Sequence, residues 1–133
     1  MRLIAVKMRD WLPSASEIAV SIGDKTLMGQ LVLLGNGRLY GGQFQIFPDA
    51  DLRDGLLDVC VFPRANWWTL FCSGLPLLLS KKLPETAVVR LRCTTLSLSA
   101  SSTTPFEIDG EMGGHLPARV SVVKNALRVL VPG

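Results

Sequence analysis

The chain has 133 residues, enough for one domain with its own core and too few for a two-domain enzyme. Hydrophobic residues make up 48% and charged residues 19%, which excludes the disordered class. The net charge of +3 comes from scattered basic residues, so no run of like charge builds a nucleic-acid stripe; a weak attraction to anionic phosphate or membrane lipid is all it supports.

Residues 1 to 12 mix apolar and charged side chains in a pattern that fits the last turns of an amphipathic helix, stopped by Pro13 and a serine-rich stretch. Residues 1–16 therefore read as the tail of an interdomain connection, with the domain proper at 17–133. Lys7, Arg9 and Asp10 interrupt the apolar residues too soon for a secretion signal. "EIAVSI" sets Ile18, Val20 and Ile22 on one face, as in a half-buried strand. After a turn at Gly23 to Lys25, "TLMGQLVLLGN" reads as one longer strand, apolar on both faces from Leu31 to Leu34. Glycines at 35, 37, 41 and 42 follow, with alternation at Phe44 and Ile46 and a stop at Pro48. "LLDVCVFP" alternates Leu57, Val59 and Val61 against Asp58, Cys60 and Phe62, the pattern of a central strand.

From Asn66 to Ser80 the period changes, with Trp67, Leu70, Phe71 and Leu75 at helical spacing and Asn66 as a cap. This stretch is too short to span a membrane and contains Gly74 and Pro76. Period two returns in "TAVVRLRCTTLSLSA", where Val89, Leu91 and Cys93 oppose Arg90 and Arg92. "ARVSVV" and "ALRVLVP" read as a closing hairpin. Many short strands, regular turn signals and a single helix indicate a mainly β sandwich or barrel with one inserted helix. Cys60, Cys72 and Cys93 are odd in number, widely spaced and set in apolar stretches, so they read as reduced, buried thiols of a cytoplasmic protein.

Three stretches place polar side chains beside glycine, and each can be chemistry or plain turn geometry. In "LGNGRLYGG" small residues permit close approach of a ligand and Asn36 offers an amide, but the strand and helix context of a dinucleotide loop is missing. "PDADLRDGLLD" carries aspartates at 49, 51, 54 and 58, oxygen donors of the kind a hard cation prefers, in a spacing that is not an EF-hand; a solvated Asp-Gly turn explains the same letters. In "EIDGEMGG", Asp109 and Glu111 would face one side of an extended chain, able to hold Mg²⁺ or to accept a proton from a hydroxyl; an Asp-Gly hairpin turn is the alternative. His115, the single histidine, reads as a surface residue.

Taken in order, "VLLGNGRLYGGQFQIFPDADLRDGLLDVCVF", "PFEIDGE" and "ALRVLVP" resemble the C-terminal domain of the diacylglycerol kinase and sphingosine kinase superfamily, and within it the bacterial lipid kinases. The likeness spans roughly residues 17 to 132, and the conjunction of motifs is more specific than any one of them. It implies a two-sheet antiparallel β-sandwich that supplies the lipid cleft of an enzyme transferring the γ-phosphate of ATP to a lipid hydroxyl. ATP would be held mainly by an N-terminal kinase domain with a GGDGT-type loop, which this sequence does not contain, so the chain reads as the second domain alone and inactive by itself. The resemblance makes Asp109 the general base, sets Glu111 near Mg²⁺ and the phosphates, and places Asn36 on the nucleotide side. It gives the acidic loop a structural Mg²⁺ held by the Asp54 side chain and the carbonyls of Asp51 and Leu56. Peripheral membrane contact and a homodimer are further expectations. The competing class is a stand-alone β-sandwich that binds lipid or bridges proteins without catalysis.

Overall fold

The period-two stretches become strands in a computed structural model that describes residues 4–6, 17–40, 44–64, 88–126, 128 and 130. Twelve are seen among the described residues: β1 (Ile4–Val6), β2 (Ile18–Ile22), β3 (Lys25–Gly29), β4 (Leu31–Gly35), β5 (Leu39–Tyr40), β6 (Phe44–Gln45), β7 (Leu57–Phe62), β8 (Val89–Cys93), β9 (Thr95–Ala100), β10 (Pro105–Ile108), β11 (Glu111–His115) and β12 (Ala118–Ser121). They form a six-stranded sheet in the order β11-β10-β1-β4-β7-β8, a four-stranded sheet in the order β12-β9-β2-β3, and the small hairpin β5-β6. Every pairing is antiparallel.

Alternation decides which face each strand buries. Ile18, Val20, Leu96 and Leu98 of the smaller sheet meet Val32, Leu34, Val59 and Val61 of the larger one in a single apolar cluster, so the molecule is a β-sandwich. The other face of the larger sheet is covered as well: Cys60 and Phe62 pack with Ile46, Phe47, Ala50 and Val88 in a second cluster, with Leu31 and Leu33 against it. Strand β7 therefore lies between two apolar layers and is buried along its whole length, as its mixed pattern suggests. Each fully buried valine there contributes about 1.5–3 kcal/mol by leaving water.

Several expectations are corrected. Ile4–Val6 is a strand, not the end of a helix; it lies between β10 and β4, which hydrogen-bond it on both sides. Three residues are too few to display a period, and the pairing outweighs local propensity. "TLMGQLVLLGN" is two strands in different sheets, with the chain crossing from one to the other at Gln30, whose N–H donates to the Phe62 carbonyl at 2.9 Å. Gly29 is needed at this corner, since a Cβ there would lie 2.5 Å from Val61 Cγ1. The chain crosses again at Thr94, between β8 and β9, and this carbonyl receives the Val122 N–H at 2.9 Å. Strand β12 pairs with β9 and leads into a turn at Lys124 and Asn125, while most of "ALRVLVP", the second half of the expected closing hairpin, lies outside the described residues. The helix expected over Asn66 to Ser80, and Cys72 within it, lie outside the described residues. No helix among the described residues is long and apolar enough to cross a membrane.

Candidate functional site

The sheet register brings the three glycine-flanked stretches to one end of the larger sheet. Ile108 pairs with both Glu111 and Ile4, Ile4 with Leu34, Leu34 with Val59, and Val59 with Leu91, which makes a row across the strands. One residue beyond this row, Gly35 faces Asp58 and Asp58 faces Arg92. Strand β4 runs out at this end into the Asn36 loop, β7 enters here from the acidic loop, and β10 runs into the turn at Asp109. At about 4.8 Å between neighbouring strands, the β10 turn stands roughly 10 Å from β4 and roughly 14 Å from β7. The turns therefore share one end of the sheet at distances beyond direct backbone contact.

Asp109 and Gly110 form the turn itself. Their φ values of 52 and 89 between the paired residues Ile108 and Glu111 are those of a type I′ hairpin, which Asp-Gly suits because both central positions need left-handed backbone. Asp109 is thus not on an extended chain, and the expectation that it shares a side with Glu111 by two-residue spacing gives way to a different arrangement. Glu111 stands opposite Ile108, on that residue's side of the hairpin, while Asp109 sits at the tip. Both are exposed, as is His115 at the end of β11, which agrees with the surface reading of the histidine. The second glycine pair serves packing: β11 bulges opposite Phe106 and Glu107, and a Cβ on Gly113 would lie 2.5 Å from the Phe106 ring.

The acidic loop is tied down from several sides. Arg38, next to the Asn36 turn, donates from Nε to the Ala50 carbonyl at 3.1 Å, which joins two of the three stretches. Asp51 Oδ1 accepts the Arg53 N–H at 2.9 Å, and the Asp51 carbonyl accepts the Asp54 N–H at 3.3 Å. Asp54 Oδ1 accepts the Leu56 N–H at 2.8 Å, which turns the chain at Gly55 (φ 68) into β7. Asp54 Oδ2 is bonded to Arg92 Nη2, and Arg92 Nε donates to Asp58 Oδ1 at 3.1 Å. Asp58 is only 6% exposed, and burial raises its carboxyl above the ordinary 3.8, opposed by Arg92 and reinforced by Asp54 and Asp49. Its second oxygen, Oδ2, is buried with no hydrogen-bond partner among the described residues.

The fit of this loop to a divalent cation can be tested on those bonds. A cation on the Asp54 carboxylate would displace the Arg92 guanidinium or stand beside it as a like charge. The residues as arranged do not fit it. Arg92 and Arg38 are the side chains tying down the acidic loop that sequence reasoning missed. Period two placed Arg90 and Arg92 on one face of β8, but which partner strand meets that face is not a local property. Asn36 is half-buried, and its side-chain oxygen is buried without a partner among the described residues. Arg90 Nη1 bonds the Ile46 carbonyl and approaches Cys60 Sγ at 3.3 Å. Burial pushes the Cys60 thiol up to about 11, against the pull of Arg90, and raises Cys93 as well. Both are free and buried, as expected of structural thiols.

Comparison with known proteins gives this arrangement a family. Residues 2–131 match the model of the YegS C-terminal NAD kinase beta sandwich-like domain. The chain belongs to that family. The YegS C-terminal match takes in residues 2–16, which include strand β1. An Alcanivorax borkumensis protein named probable lipid kinase YegS-like is 31% identical over 106 residues, covering 74% of this chain and 34% of its own length. The diacylglycerol kinase of Bacillus subtilis is 23% identical over 133 residues, covering 96% of this chain and 43% of its own. The chain thus spans about a third to two fifths of the length of these two relatives. A crystal structure of a diacylglycerol kinase from Bacillus anthracis superposes with a TM-score of 0.65 at 19% identity, over 82% of this chain and 38% of that one, a likeness of fold.

Proposed function

We propose that the chain is the lipid-substrate domain of an ATP- and Mg²⁺-dependent lipid kinase, which phosphorylates the hydroxyl of a lipid such as diacylglycerol at the cytoplasmic face of a membrane. The observation that carries this reading is the convergence of the Asn36 loop, the acidic loop and the Asp109 hairpin at one end of one sheet. The names of the relatives, lipid kinase and diacylglycerol kinase, support the reaction class. Their greater length leaves room for a nucleotide-binding domain outside this chain, and alone the chain is expected to be inactive.

In this reading Asp109, exposed at the hairpin tip, is the general base. Its carboxylate accepts the proton of the lipid hydroxyl as that oxygen attacks the γ-phosphorus, and the bond from the γ-phosphorus to the bridging oxygen breaks to release ADP. Mg²⁺ bound with ATP would neutralise phosphate charge, and one exposed carboxylate, Glu111, suits an ion that fills the rest of its shell with phosphate oxygens and water. Asn36 lines the nucleotide side in this reading, which requires its amide to turn outward from the position in which its oxygen is buried. Phosphoryl transfer needs mainly positioning and charge neutralisation, which suits a site split between two domains.

The test is Asp109→Asn in the complete enzyme. Asparagine adopts the left-handed turn as readily as aspartate, so the melting temperature is expected to hold while turnover falls by about 10²–10⁴-fold. Normal turnover in that variant would refute the assigned role.

A further inference from the structure

The stretch from Asp51 to Asp58 is a loop that resemblance supplies with a divalent cation, yet here the positive charge at its centre is a side chain. Arg92 stands directly opposite Asp58 in the β7–β8 register. On the other side of Asp58 the neighbour is Gly35, which contributes no side chain. The guanidinium reaches Asp58 Oδ1 with Nε and Asp54 Oδ2 with Nη2, so one planar group spans two carboxylates from two parts of the loop. Asp54 then passes the restraint on, since its other oxygen holds the Leu56 N–H at the entry to β7.

We infer that Arg92 stands in for the divalent cation in this chain: its guanidinium clamps Asp54 to Asp58, and the order of the acidic loop is independent of bound metal. A guanidinium can do this because it offers five donors in a fixed plane, is always charged, and sheds its water more readily than an ammonium. Hydrogen bonds between charged groups are roughly twice as strong as neutral ones, and a partly buried pair is screened less than one on the open surface. Asp58 is the buried member, so the clamp also supplies the countercharge without which a buried carboxylate is costly. Arg92 is a positioning residue in this account and touches no substrate. The inference stands apart from the kinase reading, and its test has no activity readout, so either can fail without the other.

The measurement is amide hydrogen exchange of the purified protein, read at Leu56 and Arg53, in EDTA and in millimolar Mg²⁺. Equal protection in the two solutions is expected. In Arg92→Gln the Leu56 amide is expected to exchange roughly tenfold faster while amides of β2 and β9 keep their rates, and Mg²⁺ is expected to restore protection in that variant alone. Protection in the wild-type protein that is lost in EDTA and returns with Mg²⁺ overturns the inference, as does wild-type exchange at Leu56 in Arg92→Gln. Should Arg92→Gln fail to fold, Arg92→Lys takes its place: one ammonium does not span both carboxylates, so Leu56 must still exchange faster, and an unchanged rate there refutes the clamp.

Discussion

Gly35 closes β4 at the end where the candidate site lies, and replacing it with alanine tests how tightly the second apolar cluster holds that end. A Cβ at this position would meet the Phe47 ring at 2.6 Å (Cε2), 3.1 Å (Cδ2) and 3.4 Å (Cζ). Carbon atoms pack at about 3.5–4.0 Å, so the ring must retreat by roughly 1 Å. Phe47 is 2% exposed and shares its cluster with Ile46, Ala50, Cys60 and Phe62, so little room is left behind it. Overpacking of this kind costs about 1–3 kcal/mol. At roughly 3–4 °C per kcal/mol for a domain of this size, the melting temperature of Gly35→Ala is expected to fall by roughly 3–12 °C. The strain would be passed on to both loops, because the Phe47 N–H donates to the Arg38 carbonyl at 3.4 Å and its carbonyl receives the Ala50 N–H at 3.2 Å. Calorimetry on Gly35→Ala, Phe47→Leu and the double variant measures the contact directly. The smaller side chain makes room for the methyl, so the double variant should lose at least about 0.5 kcal/mol less than the sum of the singles. A single variant that melts within about 1 °C of wild type, or strict additivity, would refute the packing argument.

Arg92→Ala is expected to raise the Asp58 carboxyl further above its ordinary value, since burial already lifts it and Arg92 is the main opposing influence; carbon NMR of the side-chain carboxyl across pH reads this, and no upward shift refutes the pairing. The folded state binds the Asp58 proton more tightly than the unfolded chain, so this group costs stability as pH rises from 3.8 through its folded value, and the variant extends that window upward. Cys60, with its thiol pushed up to about 11, is expected to carry about one thiolate in a thousand at pH 8 and to react with Ellman's reagent only after unfolding; rapid labelling of the native protein at Cys60 would contradict its burial. Gly110→Ala meets no atom within 4 Å but must adopt φ +89, so a loss of about 1–2 kcal/mol is expected in urea unfolding, and an unchanged midpoint would argue against the type I′ turn.

Much of the candidate site was legible as pieces. The Asp-Gly pair in "EIDGE" signalled a hairpin, and the hairpin is there. The two-faced pattern of "LLDVCVF" signalled a central strand, and β7 is buried throughout. The strand-like stretch from Leu27 to Leu34 concealed a change of sheet at Gln30, because each half reads as a strand and only the destination of each differs. Ile4–Val6 was missed because three residues carry too little pattern, and their stability as a strand comes from β10 and β4, far along the chain.

Local sequence by itself determined most of the strands, the turn chemistry of Asp109-Gly110 and the burial of Cys60 and Cys93, since each depends on residues within a few positions of one another. Together with the order of its motifs it also pointed to the family. Only the tertiary structure decided which strands share a sheet, that three distant loops meet at one end, and that Arg92 faces Asp58 from 34 residues away and Asp54 from 38. Such pairings rest on register between strands, and register is a property of the whole sheet: one residue of slip would turn every side chain to the opposite face and undo the site.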